Sequence, residues 1–149
     1  MVSTLKFHDP YPPLKQDPKI FLRKIPFIIP KKYLELLQEH DGGFLDYDFQ
    51  YYSNSFEEII ESGIGVLFGL NHKYNLIKEY NNPPEFFPKG LVSFGENGGG
   101  NFVCFDYRNN PKTDNPPIVY WDHEADIGKD VSFIAKNFDE FISMLKEPD

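Results

Sequence analysis

Between Leu91 and Glu124 three runs of β-branched and aromatic residues follow one another, each cut off by a cluster of Gly, Asn or Pro. They are Leu91–Glu96, Phe102–Tyr107 and Ile118–Trp121. Runs of this composition between turn formers read as consecutive strands, and connections this short join antiparallel neighbours. A chain built around this block is committed to an antiparallel sheet.

The flanking segments supply the rest of an α+β domain. Pro30 suits a helix start, and Tyr33, Leu34, Leu36 and Leu37 share one face, which predicts a helix over 31–41 that Gly42 and Gly43 end. From Phe44 the period changes to two, with Leu45, Tyr47, Phe49 and Tyr51 on one side of a strand and Asp46, Asp48, Gln50 and Tyr52 on the other. Ser55 and Glu58 have the spacing of a capping box and predict a short helix stopped by Gly63, then a strand over 65–70. Tyr74, Ile77 and Tyr80 predict one or two helical turns, and Val131–Ala135 a further strand. The closing helix, near 138–147, opens on Asn137 as cap, with Phe138, Phe141, Ile142 and Leu145 on one face. The proline spacing in residues 1–24 leaves no room for a long element and predicts an arm packed on a domain of residues 25–149. Ile20–Ile29 reads as a short strand or helical turn interrupted at Pro26. The sum is a single domain with a mostly antiparallel sheet of five or six strands flanked by helices.

Charge narrows the partners. Fifteen Lys and Arg against 23 Asp and Glu give −8. Residues 1–32 hold seven of those cations and two Asp, or +5, so residues 33–149 carry −13. Such a field repels phosphate backbones and anionic lipid and speeds encounter with basic proteins, so neither nucleic acid nor a membrane is an expected partner. Cys104 has no second cysteine to pair with and lies in an apolar run. With no signal-peptide pattern at the start, it points to a reducing compartment, the cytoplasm.

The order of these pieces resembles the SUKH superfamily of Smi/Knr-type proteins over roughly residues 29–146. Four segments carry the likeness: Ile29–Gly43, similar to the family's Pro-x-x-Tyr helix with its Gly turn; Phe94–Tyr107, similar to its Gly-Asn-x-hydrophobic-Cys-hydrophobic-Asp strand; Ile118–Glu124; and the Phe138-x-x-Phe-Ile helix. The Pro-rich arm before Lys19 and His40–Gly43 in place of the commoner Asn-Gly depart from it. The resemblance implies an α+β binding protein without enzymatic activity. Its leading form is an intracellular immunity protein that neutralises a cognate polymorphic toxin domain, such as a nuclease. The alternative is a regulatory interaction module of the cell-wall-assembly-regulator type.

The residues themselves offer few chemical sites. The Glu96–Asn101 turn lacks the spacing and the Lys of a phosphate loop and reads as a hairpin. Asp122-His-Glu-Ala-Asp126 gathers an imidazole and carboxylates, but His8, His40 and His72 show no metal-ligand spacing with it, so no metal or cofactor is expected. Asp106 and Asp122 each end a strand, which leaves a hydrolase using Asp106, Asp122 and His123 as a third reading. For recognition, Asp46 and Asp48 combine steering charge with the contact area of Tyr51 and Tyr52. Glu96, Asn97 and Asn101 of the turn, and Asp122, His123, Glu124 and Asp126 of the corner, complete the expected partner-binding set.

Overall fold

The structure, a computed structural model, describes residues 5–148. Its elements run β1 (Phe7–Pro10), α1 (Lys19–Leu22), α2 (Lys31–Glu39), β2 (Gly43–Ser53), β3 (Glu58–Leu67), α3 (Leu76–Asn81), β4 (Leu91–Glu96), β5 (Phe102–Asp106), β6 (Ile118–Trp121), β7 (Val131–Ala135) and α4 (Phe138–Met144). The α+β class and the antiparallel pairing are as the sequence predicts. All seven strands form one sheet in chain order, β1 to β7, every pair antiparallel.

Seven strands stand where five or six were expected. The additional one is β1, four residues long and ending in Pro10, which pairs with the start of β2. An edge strand tolerates a proline that an inner strand does not, because its outer side needs no ladder partner. The Pro-rich segment after it is tied to α2 and its exit. The Tyr11 N–H donates to the Gly42 carbonyl and the Leu14 N–H to Leu37, and the Leu14 side chain is buried. Residues 1–4 of the expected arm lie outside the described residues.

The helix expected over 55–61 is also absent. Its residues form the β2–β3 turn and the first part of β3, which pairs with β2 from Ser53–Glu58 through Tyr47–Ile64. The serine that organises the turn is Ser53, whose Oγ accepts from the Phe56 N–H at 3.0 Å. Ile59 and Ile60 are β-branched, and the long alternating strand beside them supplies a complete ladder that an isolated helical turn lacks.

The sheet is strongly rolled. β2 and β6 lie four strands apart, about 19 Å in a flat sheet, yet the Tyr51 and Tyr120 rings are 4.7 Å apart across the interior. At one end Asn54 closes the roll, donating from its side-chain amide to the Val131 carbonyl at 2.7 Å and from its main chain to Ser132 Oγ at 2.9 Å. The interior is filled by the odd residues of β2 and by aromatics from α2 and α4. Phe94 and Phe105 stack at 4.3 Å, Tyr33 meets Phe105 at 5.4 Å, and Phe141 meets Phe49 at 5.5 Å. The α4 start is a reciprocal cap: Asn137 Oδ1 accepts from the Glu140 N–H, and the Glu140 carboxylate accepts from the Lys136 N–H. Outside, Phe87 packs on Trp121, which stacks on Phe102.

Candidate functional site

Rolling the sheet brings three connections to one rim. They are the β2–β3 turn, the β4–β5 turn over Asn97–Asn101, and the β6–β7 loop from Asp122 to Asp130. At its floor stands the Tyr120 hydroxyl, which accepts from the amides of Asn97 and Asn101, each at 3.0 Å, and shares a hydrogen bond with Ser62 Oγ at 2.8 Å. Two acceptances and one shared proton exhaust what a phenol hydroxyl has to offer.

The β4–β5 turn is shaped by its own side chains. Asn97 Oδ1 accepts from the main-chain N–H groups of Gly99 and Asn101, at 2.7 and 3.2 Å. Gly98 and Gly100 supply the left-handed backbone that this path requires. A Cβ on Gly100 would also press into the His123 ring. Asn101 reaches the next loop, its Oδ1 accepting from the His123 N–H at 2.9 Å and lying 2.6 Å from His123 Nδ1. Thus Asn97, Asn101 and His123, chosen from the sequence as separate contacts, form one connected network with Tyr120, a residue of the Ile118–Trp121 run that the sequence does not single out.

Asp122 anchors the third loop. Its N–H donates to the Asp130 carbonyl, and its carboxylate accepts from the Glu124 N–H at 3.0 Å. Burial, then Tyr120, then the Asp122 charge push the Tyr51 hydroxyl well above the usual tyrosine range. Glu124 and Asp126 project from the loop into solvent. Glu57 in the β2–β3 turn and Glu58 at the start of β3 are exposed too, so the carboxylates of these connections outnumber their one cation, Lys129.

The remaining expected contacts divide differently. Tyr51 is 6% exposed, packed between Phe49 and Tyr120, so it is a wall of the interior and not the exposed contact the sequence implied. Asp46, Asp48 and Tyr52 lie on the outer face of β2, with Asp46 in a hollow shared with Lys6 and Glu147. Glu96 pairs with Phe102 and so turns to the outer face. Burial raises its carboxyl and that of Glu79 on α3, and the Glu96 charge raises Glu79 further.

The carboxylate pair offered for hydrolysis is not assembled. Asp106 meets Pro117 at one end of the β5–β6 ladder, whereas Asp122 follows Trp121 at the other, about 17 Å along the strand. Asp106 is instead held by Arg108, with Nε and Nη2 each 3.0 Å from one of its oxygens. Cys104 is fully buried, and burial drives its thiol well above its usual range. Among the described residues no three His, Cys, Asp or Glu side chains gather in a metal-ligating group, and no helix is long and apolar enough to cross a membrane.

The fold is thus a rolled antiparallel sheet packed with two helices, with a polar network joining the β4–β5 turn to the β6–β7 loop. Residues 12–144 match the SMI1 / KNR4 family (SUKH-1), and the chain belongs to that family. It is similar to the SPbeta prophage-derived uncharacterized protein YokK of Bacillus subtilis (strain 168), at 28% identity over 137 residues, covering 80% of this chain and 68% of the relative. No solved structure matches.

Proposed function

We propose that this chain is a non-enzymatic immunity protein that binds a cognate toxin domain, a nuclease or another effector with a basic surface, and occludes its active site or substrate channel. The observation that carries the reading is the rim itself: the β4–β5 turn and the β6–β7 loop joined by the Asn97, Asn101, His123 and Tyr120 network, the β2–β3 turn held beside them by Asn54, and the exposed carboxylates Glu57, Glu58, Glu124 and Asp126. Because its buried polar atoms are already paired among the described residues, the network supplies a rigid frame while the exposed carboxylates supply attraction. A nuclease surface shaped for phosphate is basic, and an acidic protein approaches it quickly and with marked salt dependence. The prophage origin in the relative's name belongs to that protein.

The test is co-expression with the toxin domain encoded beside this chain's gene. Growth should be restored and a stable complex recovered. Glu124→Lys with Asp126→Lys should slow association at least tenfold at low salt and flatten its salt dependence while leaving the melting temperature unchanged. Neither rescue nor complex would end the immunity reading.

A further inference from the structure

Outside the rim, the β2–β3 hairpin leaves apolar side chains in water. Tyr52, Phe56 and Ile59 are 53, 63 and 68% exposed. They are contiguous, since Tyr52 and Ile59 are cross-strand partners and Phe56 sits in the turn between their strands. Asp48 exchanges both main-chain hydrogen bonds with Lys146 on the outer edge of β2. By strand periodicity the main chains of Gln50 and Tyr52 face that same edge, and Tyr52 and Ile59 form a close, non-hydrogen-bonded pair. Among the described residues neither main chain has a partner on that side, between Lys146 and the Asn54 closure. A groove of about 450 Å³ runs beside the pair, lined by Gln50, Tyr51, Tyr52, Ile59, Met144 and Lys146.

Charge identifies the occupant. From Gly43 to Gly63 the hairpin carries Asp46, Asp48, Glu57, Glu58 and Glu61 and no Lys, Arg or His, a net −5 that outweighs the one cation lining the groove, Lys146. A second copy docking here through a two-fold would set five carboxylates against five. Nucleic acid and anionic lipid are repelled for the same reason.

We infer that this face docks an extended basic segment of a protein partner, in which an apolar side chain stands next to Lys or Arg. The apolar side chain enters the groove against Tyr52 and Ile59, and the cation beside it meets Glu61 on the same face of the hairpin. The inference deepens the partner-binding reading and rests on it for the identity of the partner, although the docking chemistry can be measured without any toxin.

The experiment titrates the full chain with a short peptide alternating Lys and Leu and follows amide signals by NMR. Two control peptides carry Glu for Lys or Ser for Leu. Shifts should centre on Gln50–Ile59, both controls should bind at least tenfold more weakly, and Ile59→Ser should cost the Lys–Leu peptide a similar factor. Glu61→Lys should weaken binding and reduce its salt dependence. Tyr52→Ser replaces Ile59→Ser if that variant fails to melt cooperatively. Shifts elsewhere, or affinity that survives Ile59→Ser and the Lys–Ser control, mean charge adsorption alone and overturn the docking face. A dimer in sedimentation that Ile59→Ser dissolves assigns the face to a second copy and overturns it equally. Peptide docking without toxin rescue sinks the immunity reading and leaves the docking face standing. Rescue that is indifferent to the hairpin variants does the opposite.

Discussion

Glu57 occupies the left-handed region at φ 56°, where an L side chain costs about 1–2 kcal/mol. The turn it sits in is a common place for glycine, and a glutamate kept there at a cost to folding is one of the carboxylates edging the rim. Glu57→Gly should therefore stabilise the protein, by about 0.5 kcal/mol once the added freedom of the unfolded chain is deducted, and should weaken binding to a basic partner. Denaturant midpoints and association rates on the same two samples check both signs. Tyr120 is the opposite kind of residue, with nothing exposed to offer and every polar contact turned inward. In the sequence it is one more aromatic in an apolar run, and only the rolling of the sheet brings its hydroxyl to Ser62 of β3 as well as to the β4–β5 turn.

At the scale of elements, the strands from Leu91 to Ala135 were legible because their apolar runs and turn formers agree, and α2 and α4 because caps and faces agree. The β2–β3 hairpin was half legible. Alternation revealed β2, while a serine and a glutamate at helical spacing concealed the first half of β3, and with it the exposure of Phe56 and Ile59. The site suffered from the same gap. Asn97, Asn101 and His123 could be chosen by residue type, whereas Tyr51 was grouped with Tyr52 as a contact although the alternation already set it on the apolar side with Leu45, Tyr47 and Phe49, the side that becomes interior. Between α3 and β4 a further test lies in Glu79 and Glu96, whose carboxyls are raised by burial and, for Glu79, next by the Glu96 charge. A raised folded-state value means that the ionised form is disfavoured by folding. This penalty is present at neutral pH and disappears as pH falls through the raised values toward the ordinary 4.5 and below. Glu96→Gln should accordingly raise stability at pH 7, by less than about 1 kcal/mol for so solvated a group, and the gain should vanish near pH 4. Thermal melts of both proteins across that range measure it.

For the whole molecule, the Asn54 side chain is what joins the two ends of the roll. Asn54→Ala removes its hydrogen bond to the Val131 carbonyl, and about 0.5–1.5 kcal/mol of stability should go with it. Hydrogen exchange should quicken in Val131–Ala135 and in the β2–β3 turn ahead of the β4–β5 pair, and uniform quickening would deny that this end opens separately.

Because every strand pairs with the strand before it, almost all of the sheet can form from near neighbours in the chain, and the Asn54 closure spans 77 residues. Contacts separated that far repay their loop entropy last. The closure therefore belongs to the final descent to the native state, and weakening it should hasten unfolding while leaving the folding rate almost unchanged. How long the assembled rim endures is set by late closures of this kind, the Asn54 amide among them, independently of how fast the sheet is made.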